Sequence, residues 1–89
     1  KTKQGPRVVE TREPIVDVFD EKDFIRVITE LPGVEEKEIK LETKGDILNI
    51  ETTGDKKYAK EILLPAKVDG ASKEMSFKNG ILEVKFKKA

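Results

Sequence analysis

Phe24-Ile25-Arg26-Val27-Ile28-Thr29-Glu30-Leu31 is the stretch on which the fold turns. In an extended chain Ile25, Val27, Thr29 and Leu31 share one side, while Phe24, Arg26, Ile28 and Glu30 take the other. This two-residue period is that of a strand with one face on a core and one in water. Pro32-Gly33 ends it, because proline brings no ladder N–H and glycine accepts positive φ. The same period recurs in both directions. Upstream, Ile15 to Phe19 reads as a strand closed by the charged turn Asp20-Glu21-Lys22-Asp23. Downstream, Val34 to Lys37 is a connection with room for one helical turn. Glu38 to Thr43 then points Ile39 and Leu41 inward, and Lys44-Gly45-Asp46 reverses the chain into Ile47 to Thr52. Lys57 to Leu64 sets Tyr58, Lys60, Ile62 and Leu64 against Ala59, Glu61 and Leu63, and both faces of its second half are expected to be buried before Pro65 ends it. Asp69-Gly70 predicts a turn, Ser72 to Phe77 a strand with Met75 and Phe77 on one face, and Asn79-Gly80 a two-residue hairpin into Ile81 to Phe86. There Leu82, Val84 and Phe86 face inward. Short strands recurring at about 8–12 residues with turn chemistry between them predict an all-β sandwich of two antiparallel sheets. The sandwich is expected over residues 14–89. Residues 1–13 read as a polar N-terminal arm or linker, with at most a short edge strand at Arg7 to Glu10.

Composition narrows the chemistry. The chain has 89 residues, 18 Lys+Arg against 18 Asp+Glu, and no Cys, His or Trp. One small domain follows, with a thin core and no room for a large catalytic chamber. Without Cys or His there is no thiol nucleophile, imidazole base, disulfide or Cys/His zinc site. Carboxylates abound, but none is marked by a partner that would tune it for catalysis, so no enzyme, catalytic residue or cofactor is predicted. Asp17, Asp20, Glu21 and Asp23 lack the glycine and terminal glutamate of an EF-hand loop and read as a solvated turn, so no metal is predicted. Zero net charge with both signs dispersed argues against nucleic acid, and the longest apolar run, Ile62-Leu63-Leu64, is far short of a membrane span. No secretory signal opens the chain, and a soluble cytoplasmic protein is expected.

The order of the pieces carries more than their period. Glu13 to Glu21 followed by Ile25 to Val34 resembles the opening of the alpha-crystallin domain of small heat-shock proteins. Lys37-Glu38-Ile39-Lys40-Leu41 and Ile47-Leu48-Asn49-Ile50-Glu51 are similar to that family's middle hairpin. Leu64-Pro65 matches its leucine-proline landmark and Asn79-Gly80-Ile81-Leu82 its closing signature, so the resemblance runs from Glu13 to Lys88. It implies an immunoglobulin-like sandwich acting as an ATP-independent chaperone that binds non-native proteins and limits their aggregation. It further implies a groove between two edge strands, Glu38 to Thr43 and Ser72 to Phe77, that accepts a hydrophobic tail motif or extended client segments. Ile39, Leu41, Met75 and Phe77 are the groove candidates. Tyr58, Lys60 and Ile62 stand where the family makes a subunit interface, and a homodimer is implied, with larger oligomers only through N- and C-terminal extensions.

The chain departs from the family pattern in places. Members of the archaeal, bacterial and plant type carry a long loop whose extra strand is exchanged between subunits, whereas here only Glu51 to Lys57 connects the strands. Met75 stands where alanine is typical and Lys60 where arginine is, which keeps the charge but loses the planar fork. Plainer readings stay open beside these. Ile39, Leu41, Met75 and Phe77 also suit an ordinary sandwich core. Tyr58 suits a core tyrosine with its hydroxyl on a backbone partner, and Lys60 an exposed strand residue. The lysines at 56, 57, 60, 85, 87 and 88 suit a solvated, edge-protecting face better than an anionic partner's surface. The short connection also admits an alternative function, a CS-domain-like co-chaperone or adaptor docking on an ATP-dependent partner.

Overall fold

The computed structural model of the chain describes residues 11–89. Eight strands and one 3-10 turn follow in order: β1 (Thr11–Arg12), β2 (Val16–Asp20), β3 (Phe24–Glu30), the turn Glu36–Glu38, β4 (Ile39–Lys44), β5 (Ile47–Thr52), β6 (Lys57–Leu63), β7 (Val68–Lys78) and β8 (Ile81–Lys88). They form two four-stranded sheets, ordered β1-β6-β5-β4 and β2-β3-β8-β7. All pairings are antiparallel except β1 on β6, which is parallel and spans only Thr11↔Lys57 and Arg12↔Tyr58. The expected edge strand at Arg7 to Glu10 lies outside the described residues.

The alternation of β3 decides the packing. Ile25, Val27 and Thr29 are buried, and they pair across the sheet with Phe86, Val84 and Leu82 of β8, also buried. Leu48, Ile50, Tyr58, Ile62 and Leu64 close over them from the other sheet. Thr29 enters the core without cost because its hydroxyl donates to Ile15 O at 2.8 Å. The Asn79-Gly80 turn forms as expected, with φ of 52° and 78°, the left-handed pair that a two-residue hairpin needs.

Two expectations fail. Leu63 is 73% exposed rather than buried, because the second sheet covers only the inner face of β6 and nothing described packs on the outer one. Asp69-Gly70 is not a turn between strands but lies inside an eleven-residue β7, whose register against β8 slips between Asp69 and Glu74. Local bonds absorb the slip: Asp69 Oδ1 accepts from Ala71 N at 3.0 Å, and the Ser72 hydroxyl accepts from Lys87 N at 2.8 Å. Such Asx turns look like reversals in sequence, yet here they make an irregularity within a strand.

Candidate functional site

β4 ends one sheet and β7 the other, and the two edges meet on the same side of the sandwich. Ile39, Leu41 and Phe77 are half-buried against the core, and Met75 is 37% exposed. The structure thus brings all four candidate groove residues to one seam, on strands whose inner faces approach without closing.

Among the described residues the backbone leaves amides outside the ladders on both strands of the seam. Thr53 N donates to Glu38 O at 2.9 Å beside the Ile39↔Thr52 pair. By the alternation of an antiparallel ladder, Lys40 and Glu42 then turn their amides toward β5, while Ile39, Leu41 and Thr43 turn theirs outward. On β7 the hairpin closes at Lys78↔Ile81, so Ser76 bonds β8 and Met75 and Phe77 present amide and carbonyl to the open edge. The seam is stopped at one end: a Cβ on Gly70 would collide with the Thr43 hydroxyl, so the β7 irregularity lies directly against β4. A shallow depression of about 950 Å³ crosses β4, β5 and β6, lined by Lys40, Glu42, Glu51 and Lys60 together with Leu41 and Ile50.

The opposite side is built differently. Tyr58 and Ile62, two of the interface candidates, are buried in the chain's own core. The Tyr58 hydroxyl donates to Pro32 O at 3.3 Å. Only Lys60 reaches solvent, where its Nζ lies 2.6 Å from Glu13 Oε1. That hydrogen bond, and then the lysine's charge, hold the Glu13 carboxyl below the 4.5 of an unperturbed glutamate. A lowered folded value means that the unfolded chain binds the proton more tightly. The pair's small contribution is therefore present above the unfolded value and fades as pH falls through the folded one. In an NMR titration Glu13 is expected to show a depressed midpoint that returns to the ordinary range in Lys60→Met; equal midpoints would remove the pair from solution.

The short connection between β5 and β6 is tied to the body of the domain, which its sequence did not disclose. The buried Thr52 hydroxyl donates to Lys56 O at 3.0 Å and accepts from Tyr58 N at 2.8 Å. The stem of Lys56 packs over Gly33, whose φ of +81° belongs to the turn after β3. Glu38 holds the other flank. Its carboxylate accepts from Glu35 N at 2.9 Å and lies against Gly54, while its carbonyl takes the Thr53 amide. A short polar loop gives no periodic signal in sequence, and its partners here are distant in the chain.

Comparison with known proteins agrees with this architecture. A family model described as an HSP20-like domain found in ArsA matches residues 22–86. Heat shock protein 16 of Schizosaccharomyces pombe is 31% identical over 90 residues, covering 80% of this chain and 63% of the relative. A heat shock protein of Dictyostelium discoideum is 30% identical over 87 residues, covering 79% of this chain and 21% of the relative. The chain thus spans less than two thirds of the length of these curated relatives. Among solved structures, heat shock protein 16.0 of S. pombe superposes with a TM-score of 0.79 at 24% identity, over 94% of this chain and 72% of that one. The hspA protein of Xanthomonas axonopodis gives 0.74 at 21% identity, over 84% and 92%.

Proposed function

The chain belongs to the family of HSP20-like domains found in ArsA, a β-sandwich of the small heat-shock-protein kind, and from that premise we propose that it is an ATP-independent holdase for non-native proteins. The observation that carries the reading is the seam between β4 and β7, where outward amides flank half-exposed Ile39, Leu41, Met75 and Phe77. An extended client segment can add there as a further strand, its backbone bonding to an edge and its alternate apolar side chains entering the seam. No nucleotide and no covalent step is needed. A holdase of this kind meets heat-damaged chains in the cytoplasm. A homodimer would use β6, which β1 covers only at Lys57 and Tyr58 and along which Lys60 reaches solvent.

The test is light scattering of a heated client protein with rising amounts of the domain. Suppression at a few-fold molar excess is expected. Met75→Glu places an uncompensated charge in the seam and should raise the amount required by about tenfold, with an unchanged melting temperature because Met75 is not in the buried core. No suppression by the parent chain at large excess would overturn the reading. It would favour the second one, an adaptor docking on an ATP-dependent partner, which two observations support: the tied-down connection after β5, and a family description that places such domains within ArsA.

A further inference from the structure

Oxidation chemistry singles out one residue of this chain. The sequence holds no Cys, His or Trp, one Tyr and one Met. The tyrosine, Tyr58, is buried, and its hydroxyl donates to Pro32 O. Met75 is 37% exposed. A thioether needs no deprotonation to react, so peroxides oxidise it wherever they reach the sulfur. Met75 alone combines that chemistry with access to solvent, and its place in the fold gives the reaction a consequence. It pairs with the fully buried Val84 on the face of β7 that turns to the core, two residues before Phe77, which pairs with the fully buried Leu82. Across the seam stands β4 with half-buried Ile39 and Leu41. The thioether therefore lies at the mouth of the seam, where a docked segment would cover it.

We propose that Met75 is a reversible oxidation site through which a peroxide lowers the capacity of the seam for apolar segments. The inference rests on the reading of the seam as the client site. In the forward step a sulfur lone pair attacks one oxygen of hydrogen peroxide, the O–O bond breaks, and the second oxygen leaves as water after proton transfer. Sulfur loses two electrons and the peroxide gains them. Methionine sulfoxide reductase reverses the change: two thiols become a disulfide and the oxygen leaves as water. The chain has no cysteine, so that reductant acts on Met75 and on no other side chain of the domain. Oxidation turns a flexible apolar side chain into a polar one. The S=O group is a strong dipole and a hydrogen-bond acceptor without a donor of its own. A segment covering it must bury that oxygen, which costs free energy unless a donor meets it. The donors on hand are the amides that β4 and β7 leave outside their ladders, and an amide that holds the sulfoxide is lost to an incoming strand. Either outcome weakens docking, and neither disturbs the buried row of β8 beneath.

The test compares the chain before and after hydrogen peroxide with Met75→Leu, which keeps an apolar side chain of similar volume and has no sulfur. Mass spectrometry should find one added oxygen, mapped to Met75, gained within about threefold of the rate of methionine in an unstructured peptide. In light scattering of a heated client, the oxidised chain should require about tenfold more domain than the reduced one for equal suppression. Treatment with methionine sulfoxide reductase and dithiothreitol should restore the reduced value. Met75→Leu should suppress equally well with and without peroxide. Met75→Gln, which carries a polar group of similar length without any oxidant, should behave as the oxidised chain does. Melting temperatures of all forms should agree. The proposal is overturned if reduced and oxidised chains suppress alike, if Met75→Leu loses suppression on peroxide treatment as the parent does, or if Met75 stays unmodified where the free peptide reacts. It is equally overturned if the melting temperature falls far enough to account for the loss. Each of those results leaves the client reading standing, whereas a parent chain that fails to suppress before any oxidation overturns that reading and this one together.

Discussion

Replacing Phe86 with alanine is expected to cost about 3–5 kcal/mol of folding stability. Phe86 is fully buried and heads the largest fully buried side chains of the chain. It pairs across the sheet with Ile25, and its ring stands at the end of β8 where Leu82, Val84 and Phe86 form one inward row. Alanine there removes apolar contact and leaves a void that β8, held along its length by the β3 ladder, cannot fully collapse into. A domain of this length holds about 4–13 kcal/mol in all at the usual stability per residue, so a large share would go. Urea unfolding checks this through the midpoint at unchanged slope. A loss below about 1 kcal/mol would mean that the row repacks and that Phe86 is not the centre of the core.

Thr52→Val is expected to cost about 1–3 kcal/mol, although the two side chains have nearly the same shape. The buried threonine hydroxyl serves two backbone groups at once, accepting from Tyr58 N at 2.8 Å and donating to Lys56 O at 3.0 Å. Valine leaves the Tyr58 amide without a partner at the buried start of β6, and an unmade bond to a buried group costs more than the mean worth of a made one. The same change unties the connection between β5 and β6. Hydrogen exchange separates the two effects: the Tyr58 amide and residues 53–56 should exchange much faster in the variant, while the Val27 and Val84 amides of the central ladder change only with global stability. If Tyr58 exchange is unaltered, the hydroxyl does not hold this loop.

The strands of the second sheet were legible because β3 and β8 each bury one face in a strict alternation, and Asn79-Gly80 joins β8 to β7 by a turn with a specific φ requirement. Leu63 was misread because an apolar residue on an outer face is locally indistinguishable from one on an inner face; only the position of the other sheet separates them. Asp69-Gly70 was misread because its local bonds are those of a turn, and whether they reverse the chain or bend a strand depends on β8 continuing beside it. Ile39, Leu41, Met75 and Phe77 read as inward-facing from alternation, and as groove candidates only through the family resemblance. Their convergence on one seam depends on sheet order, which places β4 and β7 at the same side.

The sequence by itself determined the all-β class, the inward rows of β3 and β8, the hairpin at Asn79-Gly80 and the family, since each rests on residue types at short, regular spacing. Tertiary structure alone decided which strand edges stay bare, how far β1 covers β6, and how the β5–β6 connection is anchored. Those outcomes turn on contacts between residues far apart in the chain: Tyr58 with Pro32, Glu38 with Thr53 and Gly54, Glu13 with Lys60. Local periodicity records which face of a strand is apolar, but it holds no information on which neighbour, if any, completes that strand's hydrogen bonds.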